Sequence, residues 1–370
     1  MVNAIQHRAR TIRFRNAAMV HGFVMFWLMA CLCFAPFNQA ILPAKYFFDA
    51  ANIASRFGYV DGFVRGESFD NTALFYRLLL LSGSWQVSAL VTAGVFSVFV
   101  FQTMKLPERF DRAVLHDLLI FTFTCIVGSV YLAQYSKEAI VMLIAMYFFG
   151  VSGKGGAKVI WVLVACVYAA YFREYWFLVV AFYIYYTIVL RWARSMSAVL
   201  LGIVIAFLIL AVAFQGIFGV GLSHYRDIVN DARTYDLDAN TMIKPLLPTG
   251  GIALGWLNAV LQFILMFFPF PLLSGNPLYL FFFVVISSLA IRLYRITRSI
   301  VVSRGVKRGG RQFNCLALVL SFVTIQSVFE PDYGSYIKHL TPMLPLVQYV
   351  LYMRKWTQRS ESESLHLRAG

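Results

Sequence analysis

The sequence predicts an all-α, polytopic membrane protein, and three observations carry that expectation. Of its 370 residues, 60% are hydrophobic and only 13% are charged. Soluble globular chains carry roughly 25% charged residues, so this one lacks the charge to cover a water-facing surface. The apolar residues gather in runs close to the about 20 helical residues that span a hydrocarbon layer. No polar stretch is long enough to form a soluble domain, the longest gaps between runs being about thirty residues. A nuclease, a cytosolic dehydrogenase and a secreted disulfide module are excluded, and residues 1–370 are expected to form one integral membrane domain.

Taken in order, the apolar runs are 17–42, 82–104, 113–135, 138–152, 157–172, 175–190, 197–222, 251–273, 277–294, 312–329 and 340–353. Arg8, Arg10, Arg13 and Arg15 precede the first run and place the N-terminus on the cytoplasmic side, where Lys and Arg concentrate. The run itself is longer than the apolar part of a secretory signal, so an uncleaved anchor is expected. Alternation then puts the 105–112, 153–158 and 191–194 loops inside. The strongly basic 292–311 stretch falls inside only if one of the two runs before it does not cross. The choice falls on 251–273, which ends in Phe268-Pro269-Phe270-Pro271 and reads as a re-entrant or interfacial segment. The expected fold is thus a transmembrane helical bundle of about ten spans plus that segment, with both termini cytoplasmic. This topology puts 22 of the 32 basic residues inside and 12 of the 17 acidic ones outside.

The net charge of +15 therefore reads as a topology signal with attraction to anionic lipid, and no nucleic-acid partner is expected. Cys31, Cys33, Cys125, Cys166 and Cys315 all lie in apolar runs without metal-ligand spacing, so neither metal nor cofactor is expected. Gly153-Lys154-Gly155-Gly156 lacks the rest of a phosphate loop and reads as a topological turn. No motif of a protease or lipase occurs. The 354–370 tail, with its alternating Ser and Glu, reads as a disordered cytoplasmic end.

Two outer loops of some size remain, 43–81 and 223–250. The first opens amphipathically and is expected to lie along the membrane surface. The second holds His224, Arg226, Arg233, Asp236 and Asp238. The short outer turns are more informative: Gln134-Tyr135-Ser136-Lys137-Glu138, Tyr171-Phe172-Arg173-Glu174-Tyr175, and Phe329-Glu330-Pro331-Asp332-Tyr333 running on to Lys338-His339. All three pair acids with bases among aromatics. The helices beside the first two have only 15 or 16 residues and reach about 24 Å, short of a core of about 30 Å. Their charges are thus expected at or below the outer interface, where a charge is costly and points to function. A polar vestibule opening to the outer leaflet is the expected result.

Cations at that depth suit a phosphate or pyrophosphate, with Arg favoured for its planar fork. Neighbouring carboxylates and a histidine suit a general base for a hydroxyl nucleophile. Together they fit glycosyl transfer from a lipid-linked donor, whose leaving pyrophosphate needs positive charge where negative charge develops.

Ser136-Lys137-Glu138, Phe172-Arg173-Glu174-Tyr175 and Glu330-Pro331-Asp332-Tyr333-Gly334-Ser335-Tyr336 followed by Lys338-His339, in a chain of this size, resemble the bacterial surface-polysaccharide polymerases of the Wzy type. The resemblance implies a multi-pass protein of the bacterial inner membrane that polymerises undecaprenyl-pyrophosphate-linked repeat units of O-antigen, capsule or exopolysaccharide on the periplasmic face. It also implies partners in the same pathway, a flippase and a chain-length regulator. On this reading Arg173 is the expected pyrophosphate clamp, with Lys137, Arg226 and Lys338 supporting. Glu138, Glu174, Asp332 and His339 are candidate bases, and Glu330 and Tyr333 are candidate substrate contacts. The competing expectation for Glu330 and Asp332 is that they cap the helix that follows. Two other functions stay open: a polyprenyl-phosphate-dependent transferase that adds one sugar, and a lipid-linked oligosaccharide flippase that is not an enzyme.

Overall fold

The computed structural model describes residues 17–104, 115–233, 241–248, 250–273, 276–303 and 309–351. Every regular element among them is helical, with one isolated bridge between Met242 and Asp332. Backbone groups inside a bilayer have no water to bond, so apolar runs of this length must satisfy them within helices. In chain order these are α1 (Ala17–Phe34), α2 (Asn38–Ile41), α3 (Phe48–Ala54), α4 (Ser68–Leu78), α5 (Trp85–Met104), α6 (Leu115–Tyr131), α7 (Lys137–Val151) and α8 (Ala157–Tyr171). They continue as α9 (Trp176–Trp192), α10 (Met196–Ala213), α11 (His224–Ala232), α12 (Gly251–Phe267), α13 (Pro277–Ser303), α14 (Arg311–Phe329) and α15 (Tyr333–Leu340), and residues 344–351 are helical as well.

Five described stretches are long and apolar enough to cross a membrane: Met19–Ile41, Trp85–Met104, Met196–Phe218, Pro277–Val302 and Arg311–Phe329. The shorter apolar helices include α8, α9 and α12. The expected loops 105–112 and 354–370, the N-terminal arginines, and Arg304, Lys307, Arg308, Asp236 and Asp238 lie outside the described residues. α1, α6 and α10 end short of their runs, at Phe34, Tyr131 and Ala213, and α13 runs on past its own. Arg292, Arg295 and Arg298, expected in a loop, lie on α13, which continues to Ser303. Helix propensity is high for Arg, and a polar head at a membrane edge does not end a helix.

The bundle is organised around α14, whose residues Gln312 to Val328 are all buried. It packs most extensively on α9 and also meets α11 and α12. Its polar side chains find partners on the surrounding helices. Asn314 donates to Ser152 O at 2.6 Å, Gln312 to Val350 O at 3.0 Å, Ser321 to Val179 O at 2.5 Å, and Thr324 meets the Tyr186 hydroxyl at 2.7 Å. Such bonds order helices where the hydrophobic effect does not. Small residues do the same by close approach: a Cβ on Gly202 of α10 would stand 2.7 Å from Val189 Cγ1 of α9, and one on Gly128 of α6 would run into the Phe96 ring of α5.

The same bonds define two ends. Ser152, Arg311 and Val350 mark one of them. The turns at 132–136, 171–175 and 330–332 mark the other, together with α15 and the α3–α4 loop. Segment 241–248 also belongs there, since Ile243 N donates to Pro331 O at 2.8 Å and Tyr333 N to Thr241 O at 3.1 Å.

Candidate functional site

At that second end the three short turns meet. Tyr76 of α4 is fully buried and receives the Ser136 N–H at 3.0 Å while donating to Gln134 O at 3.1 Å, which fixes the turn before α7. Ser136 then caps the helix, taking the Ala139 N–H at 3.2 Å. Lys137 and Glu138 are therefore held in the first helical turn, both buried. The helix N-terminus favours the carboxylate there.

The 171–175 turn is held from both sides. Asn71 of α4 donates to Tyr171 O at 2.5 Å, and Phe172 stacks on Tyr168 with ring centres 5.1 Å apart. Arg173 then points inward, its Nη2 2.5 Å from Glu138 Oε1 and its Nη1 donating to the Tyr175 hydroxyl at 2.9 Å. On α15, Asp332 is the N-cap and accepts the Ser335 N–H at 2.7 Å, which starts the helix that carries Lys338 and His339. His339 bridges two carboxylates, with Nδ1 2.5 Å from Glu330 Oε1 and Nε2 3.2 Å from Glu138 Oε1. The result is a continuous chain, Glu330, His339, Glu138, Arg173 and Tyr175, drawn from turns that are distant in sequence, with Glu138 and Glu330 buried and Arg173 and His339 partly exposed.

Burial alone would lower the His339 pKa, but the Glu330 and Glu138 carboxylates outweigh it and hold the imidazole above its ordinary value. Asp49 of α3 pairs with Lys338. Burial would raise the Asp49 carboxyl, yet the Lys338 ammonium keeps it below the usual carboxylate range. Lys137 has no carboxylate within 4 Å among the described residues. Its Nζ stands over the Phe69 ring, 3.4 Å from the centroid. Two carboxylate oxygens, Glu138 Oε2 and Glu330 Oε2, are buried without a hydrogen-bond partner, as is the Tyr168 hydroxyl.

Of the expected site residues, Glu138, Arg173, Glu330 and His339 share one network, and Lys137 and Lys338 border it. The others are placed differently. Glu174 is exposed and makes no ion pair among the described residues. Asp332 caps α15 and pairs with Arg233 at 2.7 Å, as the capping expectation held. Glu330 does not cap α15: it ends α14, its N–H donating to Gln326 O at 2.9 Å, and its carboxylate orients His339. Tyr333 is buried, with its hydroxyl donating to Leu265 O at 3.4 Å. Arg226 is buried on α11 and donates to Ser327 O at 3.1 Å, apart from the network. α3 and α4 border the site through Asp49, Phe69, Asn71 and Tyr76, and Arg173, Lys338 and His339 stay partly exposed beside them. Those four residues were not anticipated.

No family model, curated protein or solved structure matches the chain.

Proposed function

We propose that the chain is a membrane glycosyltransferase of the polysaccharide-polymerase kind, joining undecaprenyl-pyrophosphate-linked repeat units at the outer face of a bacterial inner membrane. The observation that carries this reading is the Glu330–His339–Glu138–Arg173 chain, its two carboxylates buried, with the Lys137 side chain beside it and no carboxylate within 4 Å of Lys137 among the described residues. Scarce charges of both signs, drawn from three distant turns into one site, suit a reaction in which a proton leaves one group as negative charge grows on another.

In that reaction the acceptor hydroxyl oxygen attacks the anomeric carbon of the donor sugar. The bond from that carbon to the pyrophosphate oxygen breaks, and the leaving group takes the electron pair. The hydroxyl proton passes to Glu138 Oε2, the oxygen left bare while Oε1 is held by Arg173 and His339. Lys137, with no carboxylate of its own, receives the pyrophosphate in place of Arg173, the expected clamp, which is engaged by Glu138 and anchors that base. The aromatic surround excludes water, which strengthens these contacts and keeps the donor from hydrolysis. A chain-length regulator and a flippase of the same pathway are the expected partners.

The ten-span topology with one re-entrant segment belongs to the same proposal, and α12 supports it. The helix is entered from 241–248, which pairs with 331–333, and Leu265 near its far end takes the Tyr333 hydroxyl. Both ends of α12 thus touch the same end of the bundle. Beyond it, α13 leads away to Arg292, which pairs with Asp117 near the start of α6. Single cysteines at Leu246 and Leu273, both exposed, should react with an impermeant thiol reagent from the same side. Labelling from opposite sides would make α12 a span and undo the topology.

The function is tested by supplying the reconstituted protein with a lipid-linked repeat unit. A ladder of lengthened products is expected, with Lys137→Met slowing it by about 10²-fold, the scale of losing one charge-stabilising donor. A single added sugar points to the one-sugar transferase, and transport without lengthening to a flippase. An undiminished ladder in correctly inserted Lys137→Met removes the assignment of the pyrophosphate.

A further inference from the structure

Apart from the network, Arg226 is a buried charge that makes no ion pair within 4 Å among the described residues, its nearest counter-charge being the adjoining Asp227. It is 2% exposed on α11, and its guanidinium makes one hydrogen bond, from Nη1 to Ser327 O. Its Nε is buried with no partner, and no carboxylate lies within 4 Å of the side chain among the described residues. Burial pushes the guanidinium down to about 10, which still leaves it charged at neutral pH. A buried charge of this kind costs several kcal/mol unless something completes it.

The neighbouring helices offer matching groups. Gln326, next to Ser327 on α14, is 1% exposed and has both amide atoms without a partner. Gln262, on the buried face of α12, is fully covered with both amide atoms equally bare. It lies one turn before Leu265, whose carbonyl takes the Tyr333 hydroxyl just past the end of α14. α11 and α12 both pack on α14. Phe329, at the end of α14, packs against Tyr225 of α11 with ring centres 6.4 Å apart. Native proteins leave few buried polar groups unpaired, and five such atoms on three adjoining helices call for a ligand.

We propose that Arg226, Gln326 and Gln262 form a subsite for a carboxylate-bearing sugar, a hexuronate-like residue of the glycan. The guanidinium takes the carboxylate in its fork. The two carboxamides need a partner that both accepts and donates: their N–H groups want acceptors and their oxygens want hydrogens. Sugar hydroxyls supply both, whereas an ionised phosphate has no hydrogen to give the Gln326 and Gln262 oxygens. The subsite rests on the glycosyltransferase reading and names the substrate class within it.

The test is ligand-induced stabilisation of the purified full-length protein, followed by thermal melting, with glucuronate, glucose and inorganic pyrophosphate as separate probes. Glucuronate is expected to raise the melting temperature and glucose to have no effect. Pyrophosphate is expected to act through Lys137, so that its shift persists in Arg226→Met and disappears in Lys137→Met. Arg226→Met should melt no lower than the parent without ligand, because it removes an uncompensated charge, and should weaken glucuronate by about tenfold or more. Gln326→Leu, which keeps Arg226 in place, should weaken it too and serves if Arg226→Met fails to fold. The subsite is overturned if glucuronate gives no shift, if both variants keep it, or if Arg226→Met abolishes the pyrophosphate shift instead. A lost glucuronate shift beside an intact product ladder would remove the subsite and leave the glycosyltransferase standing.

Discussion

Arg173→Met is the perturbation that probes the network most directly. It removes the guanidinium 2.5 Å from Glu138 Oε1 and leaves that carboxylate, 1% exposed on its side chain, with His339 at 3.2 Å as its remaining charged partner. Breaking a buried ion pair from one side costs about 3–5 kcal/mol. Because His339 stays in contact, a loss of about 3 kcal/mol is expected, at the low end of that range. Glu138→Gln strands Arg173 in the same way, with the Tyr175 hydroxyl as its remaining acceptor, and should cost a similar amount. The double variant strands neither charge, so it should be little worse than either single one, a coupling of about 2–3 kcal/mol. The cycle is measured by unfolding the purified protein in mixed micelles, following tryptophan fluorescence. Additive losses, or a loss from Arg173→Met under about 1 kcal/mol, would show that the pair is a solvated surface contact and refute the network.

Other expectations follow from the same geometry. His339 has a folded pKa above its unfolded value of about 6.5. The stability from its bridge is therefore fully present below that value and lost as pH rises through the folded one, so melting temperature should fall toward alkaline pH in the parent and not in His339→Gln. Gly128→Val drives a side chain into the buried Phe96 ring and should cost about 1–3 kcal/mol in the same unfolding assay. Asp117→Asn leaves Arg292 facing a neutral amide in the bundle, where Arg292 Nη1 is already unpartnered, and should destabilise by about 3 kcal/mol. Exchanging both residues for apolar ones of similar volume should recover most of that loss.

Much of the fold was legible because apolar run length is a local property. The helices α5, α7, α8, α9 and α14 begin and end within a few residues of the runs that foretold them, and Ser136 and Ser195 cap α7 and α10 as their side chains allow. Part of the site was legible for the same reason. Charges at the ends of helices too short to span must lie near the interface, which singled out Lys137, Glu138 and Arg173. Less could be read where a side chain's meaning depends on its partner. Nothing near Asp49 in sequence marks it for Lys338, 289 residues away. Asp332 and Glu174 are both carboxylates in short aromatic turns, yet one caps a helix and the other faces outward.

By itself, then, the sequence determined that this chain is helical, with stretches long and apolar enough to cross a membrane, and that three short turns pair acids with bases among aromatics. Apolar runs near twenty residues long satisfy their backbone groups within a single helix, whereas strands that span the same thickness are about half that length. Only the tertiary structure decided which charges pair, leaving Lys137 and Arg226 with no carboxylate within 4 Å among the described residues, and only it brought α3 and α4 against the site. Electrostatic pairing is settled over a few ångströms, by the packing of helices far apart in sequence, and a linear pattern of residues does not carry those distances.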